Sequence, residues 1–304
     1  MFLPPSQPSD SLKGEPPSPV REISPLGVMG DWRKIFLLIL VFHFSFFISR
    51  AGNENVPAAA RSAGASGASV CYSDLWSAFN NQAGLASLKK ITAGIYFENR
   101  FNMSELGVRG FALAIPSGES GTFALSGTFF GYSLYSEKKI GAAFSKQLGG
   151  KLRAGIQLNY LSTFIAEGYG TRSALTGEAG ILAEPLNNFF IGFHIYNPTQ
   201  TKIADYADER VPVIMRIGAM YRFSEKVSLS IENEKQVDAD GIFKTGIEYH
   251  IAEPLYLRGG ISTNPSLNSF GFGLKFGQFM FDAAASFHET LGFTPHVSLQ
   301  YELK

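Results

Sequence analysis

Four histidines and two nearby serines are the residues of this chain with the clearest catalytic potential. A Ser–His pair on a β-sheet wall can hydrolyse esters when the histidine takes the proton of the serine hydroxyl. The residues are His194, His250, His288 and His296, with Ser286 and Ser298. The histidines lie on four separate segments, and GESGT at 118–122 has Thr where a GxSxG motif needs its last Gly. We therefore predict a non-enzymatic protein in which these residues line a polar surface.

Other cofactor and metal motifs are incomplete. The GGK at 149–151 has Ser145 where a phosphate-binding loop needs its first Gly, and GFGLKFG at 271–277 lacks the spacing of a dinucleotide site. Cys71 is the single cysteine, which excludes a disulfide framework and a Cys-based metal site. Lys plus Arg equals Asp plus Glu at 26 each. The sequence thus predicts no cofactor, no metal and no nucleic-acid partner.

A second set of chemically active residues consists of charged side chains at alternate positions of apolar segments. Their members are Glu98, Arg153, Glu178, Arg216, Arg222, Glu232, Glu234, Lys244, Glu248, Arg258, Lys275 and Asp282. Mixed signs on one face allow two interpretations. The face could line a polar conduit, or its charges could pair to brace a wall and hold whatever fills the interior, because ions away from bulk water need partners. We favour the pairing.

The elements that position these charges are β-strands. From Ile91 onward, apolar and polar residues alternate: Ile156 and Tyr160 share one face, while Arg153 and Gln157 occupy the other. Fourteen such segments can be counted: 91–101, 106–115, 122–134, 139–148, 152–164, 173–183, 189–196, 212–223, 227–235, 243–251, 255–262, 269–276, 279–288 and 295–303. Most are close to the roughly 9–11 residues that cross an outer membrane at a tilt.

The linkers between the segments favour a membrane barrel over a soluble β-sandwich, which also alternates. Linkers after even-numbered segments are short, such as GG and EPLNN, and most of those after odd-numbered segments are longer or more polar, such as IAEGYGTR. Short turns at one rim and longer loops at the other are typical of outer-membrane barrels. We predict an all-β fold, a 14-stranded antiparallel transmembrane β-barrel over residues 91–304, with both termini at the periplasmic rim. The register of the second segment stays open, because Arg109 shares a face with Phe111.

Composition agrees with that fold class. Charged residues make up only 17% of the 304 residues, and the chain has 32 Gly and 27 Phe. The mean hydropathy of +0.04 excludes a protein of many membrane helices but fits a barrel, because half of each spanning strand is free to be polar.

The first 51 residues read as a leader. Residues 1–28 contain Pro-rich pairs without periodicity and are predicted to be a disordered, non-native extension. Residues 29–51 have a basic start, an apolar run over 35–48 and small residues at Ser49 and Ala51. These features predict a Sec-type signal peptide cleaved near Ala51, with a membrane anchor as the alternative. The mature protein would then reside in the bacterial outer membrane, in contact with its lipid.

Residues 52–90 do not alternate and are predicted to plug the barrel. A fourteen-stranded barrel is wider than one filled by its own side chains, so it would leak without a plug. The stretch is rich in Ala, Ser and Gly, and it contains Trp76 and Phe79. Those two aromatic residues could pack the plug or lie beside a bound hydrophobic molecule.

The N-terminal stretch resembles a known family. AARSAGASGASV (59–70) followed by SDLWSAFNNQAGLA (73–86) is similar to the N-terminal signature of the FadL-like outer-membrane barrels, in particular their PorV/PorQ-type branch. Asn197, Pro212, GIEYH (246–250) and later motifs extend the likeness to the C-terminus. The resemblance implies a fourteen-stranded barrel with an N-terminal hatch in the lumen. Some members of the family admit fatty acids or other hydrophobic molecules, and others serve type IX secretion or act as envelope-complex subunits.

The resemblance also identifies hatch or gate candidates: Trp76, Phe79, Asn80, Asn81 and Gln82. The family's Asn-Pro-Ala reads Asn81-Gln82-Ala83 here, so the rigid turn of Pro is missing. That departure favours a fixed plug over a gate, and together with the short outer loops it argues against the transporter function.

Two functions follow as hypotheses. The preferred one is a PorV/PorQ-like barrel that serves protein secretion or binds envelope proteins through the loop after Asn197. The partner-facing residues of that loop would be Asp205, Asp208, Glu209 and Arg210. The alternative is a FadL-like transporter of hydrophobic compounds such as long-chain fatty acids.

Overall fold

A computed structural model of the chain describes residues 52–53, 55–203, 210–237 and 239–303. The predicted extension at 1–28 and the whole predicted signal peptide at 29–51 lie outside the described residues. Among the described residues, no helix has both the length and the apolar character needed to cross a membrane.

Fourteen antiparallel strands form a closed barrel in which each strand pairs with its neighbours in sequence and β1 pairs with β14. The strands are β1 Thr92–Asn99, β2 Gly107–Pro116, β3 Thr122–Gly131, β4 Tyr135–Gln147, β5 Leu152–Ile165, β6 Gly170–Leu186, β7 Phe189–Tyr196, β8 Ile214–Arg222, β9 Val227–Gln236, β10 Ile242–Ala252, β11 Leu255–Ser262, β12 Leu267–Phe276, β13 Phe279–His288 and β14 Gly292–Glu302. The predicted fold class and strand count are confirmed.

The largest difference from the predicted boundaries is in the β5–β6 hairpin. IAEGYGTR was predicted as a loop, yet pairing continues through Phe164 and Thr171 to Ile165 and Gly170. Only residues 166–169 remain as a turn. The side chains in this stretch are more polar, but polar side chains do not end a β-ladder whose backbone hydrogen bonds are satisfied.

The two ends of the barrel are named here by their connections. The turn rim is where even-numbered strands end, as at residues 187–188, and the loop rim is where odd-numbered strands end, as at residues 197–213. In outer-membrane barrels the longer connections face the exterior. The loop rim is therefore the expected outer end.

Side chains alternate between the lumen and the outer surface along every strand. On β5, Ile156 and Leu158 point outward and are 61% and 60% exposed. Gln157 and Asn159, which alternate with them, are buried. The structure also resolves the register of β2: Gly110 and Ala112 are buried on the lumen side, so Arg109 and Phe111 point outward. β-branched and aromatic residues suit such a pleated surface.

Residues 52–90, called here the N-terminal segment, run through the lumen. The segment contains two short helices, α1 Ala60–Gly64 and α2 Ser77–Asn80, and a 3-10 helix at Gln82–Ser87. Most of its side chains are buried, many completely. Asn53 contacts Thr163 and Tyr196 near the loop rim, whereas Thr92 starts β1 at the turn rim. Both ends of the barrel, at the start of β1 and the end of β14, lie at the turn rim as predicted, whereas the first described residues lie near the loop rim because the segment runs through the lumen.

Candidate functional site

The inner wall of the barrel has two unlike sides. The apolar arc, defined as the lumen face of β1–β3, presents mainly small residues such as Ala112, Ala114 and Ala124, with Glu98 as the charge on these strands. The charged arc, the lumen face of β4–β13, carries most of the charges predicted to face the lumen. The N-terminal segment packs between the two arcs and contacts each through different chemistry.

Glu178 is the centre of the first polar cluster on the charged arc. Its side chain is fully buried, and its carboxylate accepts hydrogen bonds from six side chains. The donors, with distances, are Gln82 (2.8 Å), Lys139 (2.9 Å), Asn159 (2.9 Å), His194 (2.9 Å), Gln157 (3.3 Å) and Asn55 (3.4 Å). Two of these donors, Asn55 and Gln82, belong to the N-terminal segment. A single wall carboxylate thus binds two distant parts of the segment.

The second cluster joins Glu232 and Glu234 to the segment. Arg216 binds Glu234 at 2.6 Å, and Lys244 binds both carboxylates, at 3.2 Å and 2.8 Å. Glu232 also accepts the backbone N–H groups of residues 69 and 70 at 2.9 Å and 2.8 Å, and Arg216 donates to the carbonyl of Asn55. Because wall charges bond the backbone of the segment, its position is fixed independently of its side chains.

The third cluster is a chain of ion pairs that begins in the segment. Arg61 binds Glu248 with two nitrogens, at 2.7 Å and 3.0 Å, and Asp74 at 2.8 Å. Arg258 binds the same Glu248 and also Asp282, both at 2.6 Å. A bidentate pair such as that of Arg61 and Glu248 fixes the relative orientation of the two side chains and is stronger than a single hydrogen bond.

Four predicted lumen charges lie outside these clusters, and one of them, Glu98, pairs with Arg100 at 2.7 Å. Arg153 is half-buried and binds Gln147 at 3.0 Å and Ser73 at 3.5 Å. Arg222 is exposed towards the turn rim and lies over the ring of Phe190 at 4.7 Å. Lys275 is exposed at the end of β12. Sequence reasoning missed Lys139, because Lys138 beside it made the register of the pair ambiguous.

Pairs of glycines on neighbouring strands make room for the segment. Gly246 and Gly260 face each other across β10 and β11, and a Cβ atom on either would lie 2.5 Å from atoms of Ala65. Gly155 and Gly180 pair across β5 and β6 in the same way beneath Asn81 and Gln82. Alternating glycines on a barrel wall thus have a packing role, because any side chain would displace the segment.

The predicted gate residues Asn80, Asn81 and Gln82 fasten the segment to itself and to the wall. Asn80 donates to Ser62 at 2.8 Å and accepts the N–H of residue 58 at 3.0 Å. Asn81 donates to the carbonyl of Val70 at 2.7 Å and to a wall carbonyl of β6 at 3.1 Å. Gln82 bonds Glu178 where the family signature would place a proline with no such donor.

Cys71 is buried in the same part of the N-terminal segment. Its thiol is 2% exposed and faces carbonyls of β7 and β8. Burial, together with the negative charge of Glu232, raises the pKa of Cys71 to about 12. The thiol is therefore protonated and inaccessible while the segment stays in place.

Trp76 and Phe79 face the apolar arc. Their ring centroids are 6.4 Å apart, and Trp76 lies 6.3 Å from the ring of Tyr96. Both belong to a buried cluster with Leu75, Leu85 and the alanines of β2–β4. Only Phe79 reaches a cavity, while Trp76 is enclosed by packing. Trp76 and Phe79 therefore meet the apolar arc through van der Waals contacts, which impose no specific orientation.

A cavity of about 470 Å³ opens at the loop rim above the apolar arc. Its base includes Ala58 and Phe79 of the segment. The walls are mainly aromatic and aliphatic and include Tyr96, Val108, Phe130, Tyr135, Leu161 and Tyr196. Polar groups come from the ion pair of Glu98 and Arg100, 2.7 Å apart, and from four further charged residues of the lining: Glu105, Glu137, Lys138 and Lys139. Apolar walls with a few polar groups are typical of sites for small organic ligands.

A second cavity, of about 590 Å³, lies at the turn rim beside the charged arc. Arg61, Arg222, Lys226, Glu225 and Glu248 contribute charges to it. The cavities thus differ in chemistry as the arcs do, and the N-terminal segment occupies the lumen between them.

The structure brings one Ser–His pair together. Ser286 lies 3.3 Å from Nε2 of His296, whose Nδ1 lies 3.6 Å from Glu98. Backbone N–H groups around Ser286 belong to a strand paired on both sides, so none is free to stabilise an oxyanion. Hydrolysis therefore has no support from this geometry.

The other three histidines and Ser298 make contacts within the barrel. His194 binds Glu178, His250 stacks on Tyr256 at 4.3 Å, and His288 meets Phe101 edge to face. Ser298 accepts the N–H of residue 60 at 3.3 Å. Within the described residues, no group of three His, Cys, Asp or Glu side chains is placed to hold a metal ion.

Three of the four predicted partner-facing residues, Asp205, Asp208 and Glu209, lie outside the described residues. Arg210 is described, and it donates to the carbonyl of Gln200 at 3.3 Å. It also forms a β-bridge with Lys202.

Solved structures with a similar fold are outer-membrane channels. No protein-family model matches the chain, and no curated protein matches it. A FadL homologue of Pseudomonas aeruginosa has a TM-score of 0.60 at 13% identity, covering 81% of this chain and 98% of that chain. The P. putida toluene transporter TodX gives 0.62 at 12% identity (82% and 99%), and the monoaromatic hydrocarbon channel CymD gives 0.63 at 12% (83% and 99%). The chain therefore has the fold of FadL-type fourteen-stranded barrels.

Proposed function

We propose that this protein is a non-enzymatic outer-membrane barrel that binds a small hydrophobic or amphipathic compound at its loop rim and passes it inward. The observation that carries the proposal is the loop-rim cavity, whose walls are mainly apolar and aromatic and which adjoins the apolar arc through Tyr96, Val108 and Phe130. A volume of about 470 Å³ suits a molecule of the size of a monoaromatic compound or part of a longer chain. Two of the similar solved structures are named as aromatic-hydrocarbon transporters, which supports this choice.

Placement in an outer membrane is part of the proposal. The outward face of the strands is dominated by exposed apolar side chains, among them Ile95, Leu175, Ile217 and Phe270, each at least 56% exposed. Such a surface is costly in water, and lipid would cover it.

Passage would follow the apolar arc. The N-terminal segment meets that arc through van der Waals contacts, whereas ion pairs and hydrogen bonds hold it on the charged arc. A small shift of α2 and Phe79 away from β1–β3 breaks no ion pair, so it needs less free energy than a shift away from β4–β13. The segment in this proposal is a plug fixed on one side and yielding on the other.

The hypothesis of a PorV/PorQ-like barrel with a secretion or envelope partner stays a prediction. Its candidate surface, the loop after Asn197, falls largely outside the described residues, and the similar solved structures are channels. No observation favours it over the transport proposal.

Binding of a fluorescent apolar dye tests the proposal. Purified protein should bind N-phenyl-1-naphthylamine, and toluene or a long-chain fatty acid should displace it. Thr128→Phe places a ring inside the loop-rim cavity, which Thr128 lines, so dye affinity should fall about tenfold, a loss of about 1.4 kcal/mol.

Thr245→Phe is the matched control, because Thr245 occupies an outward position on β10. It should leave the affinity within about twofold of the original, well below the tenfold step of 1.4 kcal/mol. Equal loss in both variants, or no dye binding by the unsubstituted protein, would refute the proposal.

A further inference from the structure

Charges on the outward face of the described strands have one sign. Arg109, Lys138, Lys146 and Lys235 occupy outward positions on β2, β4 and β9. Every Asp and Glu of the fourteen strands instead occupies the lumen-facing register, as Glu137 does beside Lys138. An exposed cation on the lipid side is unfavourable unless it lies near the interface or meets an anion. The asymmetry therefore calls for an anionic partner outside the barrel.

Two of these cations are close neighbours. Arg109 pairs with Phe129 across β2 and β3, and Phe129 pairs with Lys138 across β3 and β4. Strands lie about 4.8 Å apart, so the Cα atoms of the two cations are about 10 Å apart with the aromatic ring between them. Two long side chains at this spacing can converge on one anionic group.

The height of the pair on the wall matches a lipid interface. The next outward row towards the turn rim is apolar and reads Phe111, Gly127 and Ile140. Arg109 and Lys138 thus lie at the loop-rim edge of the apolar surface, where head groups meet acyl chains. Long basic side chains extend from such positions towards the polar layer.

We propose that Arg109 and Lys138 bind a phosphate group of an anionic glycolipid in the leaflet at the loop rim, with Phe129 against its acyl chains. Guanidinium and phosphate match in geometry as well as in charge, and no outward carboxylate competes for either cation. The inference rests on the proposed placement in an outer membrane. It is separable from what the loop-rim cavity binds, because Arg109 and Phe129 are not among the residues that line that cavity, which Lys138 borders.

Lipid titrations followed by native mass spectrometry test this surface. The protein in neutral detergent is titrated with bisphosphorylated lipid A, with the dephosphorylated form and with phosphatidylglycerol. The unsubstituted protein should prefer bisphosphorylated lipid A over both others. Arg109→Gln with Lys138→Gln should weaken that binding about tenfold or more, because two charge-assisted contacts are lost.

A charge-matched control separates this site from a general charge effect. Lys146→Gln with Lys235→Gln removes the same charge from outward positions elsewhere, and binding should change less than about twofold. Equal weakening in both double variants, no weakening in the first, or equal affinity for the dephosphorylated lipid would overturn the proposal. Equal affinity for phosphatidylglycerol would also overturn the choice of a glycolipid.

The dye assay distinguishes this inference from the transport proposal. Arg109→Gln alone should leave the affinity for N-phenyl-1-naphthylamine unchanged while weakening lipid A binding, since Arg109 points outward and is not among the residues that line the cavity, whereas Lys138 borders it. Failure of dye binding together with intact lipid A binding would remove the cavity ligand and leave the glycolipid site standing.

Discussion

The charged arc and the apolar arc hold the same N-terminal segment by different physical means. On the charged arc, Glu178, Glu232 and Glu248 each bind the segment through charge-assisted hydrogen bonds. On the apolar arc, Trp76 and Phe79 pack against alanines. Hydrogen bonds are lost within an ångström of displacement, while packing contacts can be exchanged for others as a surface slides.

That difference assigns separate roles to the two sides of the lumen. The charged arc fixes the segment, and the apolar arc is the side along which a hydrophobic molecule could pass. The mixed charges are therefore not the lining of an ion conduit, because most are paired with each other or with the segment. Substitutions at four positions test this division, taken from the largest expected effect to the smallest.

Glu178→Gln should cause the largest loss of stability. It leaves Lys139 buried without its carboxylate partner, which costs about 3–5 kcal/mol in comparable buried pairs. Urea unfolding in lipid vesicles, followed by the fluorescence of Trp76, measures the change. Glu184→Gln on the same strand is the control, because Glu184 is half-buried near the turn rim. Equal destabilisation by the two would contradict a special role for Glu178.

Gln82→Pro and Gln82→Ala should release the segment to a similar extent. Asn81 before it is extended, at φ −166° and ψ 105°, and residue 82 starts a 3-10 helix, so proline fits the backbone. What both variants lose is the hydrogen bond to Glu178, worth about 1.5–3 kcal/mol for a charged acceptor. Maleimide labelling of Cys71 should accelerate in both. If only Gln82→Ala labels faster, the turn geometry and not the amide decides the position of the segment.

Gly260→Val should displace the segment from its place on β11. A Cβ atom there would lie 2.5 Å from the backbone of Ala65, and overpacking of this kind costs about 1–3 kcal/mol. Labelling of Cys71 should again accelerate, with the barrel intact by its heat-dependent mobility on gels. Gly259→Val is a control one residue away, because the nearest atom to its Cβ would be 3.9 Å distant. The same labelling rate in both variants would contradict the packing role of Gly260.

Phe79→Leu on the apolar arc should have the smallest effect on stability and a clear effect on binding. Leucine keeps much of the packing, so the free energy of unfolding should fall by less than about 1.5 kcal/mol. The affinity for N-phenyl-1-naphthylamine should fall, because Phe79 forms part of the cavity base. Phe190→Leu, buried beside the charged arc, should leave dye affinity unchanged. Dye affinity that falls only in Phe190→Leu would reverse the assignment of the two arcs.

Much of the architecture could be predicted because a spanning strand leaves a local pattern. Alternation along β5 and β8 located the strands and assigned Arg153 and Arg216 to the lumen side without any tertiary information. The β5–β6 hairpin was harder, since polar residues beyond the membrane surface look the same in a loop and in a ladder. Arg109 was ambiguous for a related reason, because a cation near the interface is compatible with either face.

The amino-acid sequence by itself determined the strand count, the inward and outward faces and the presence of a non-alternating segment, because these depend on patterns among near neighbours. Only the tertiary structure decided that Asn55 and Gln82 meet on Glu178, that paired glycines receive the segment, and that the two arcs differ. The contact between Asn55 and Glu178 alone joins residues 123 positions apart. Barrel closure and register bring such residues together, and neither is encoded in any single stretch of the chain.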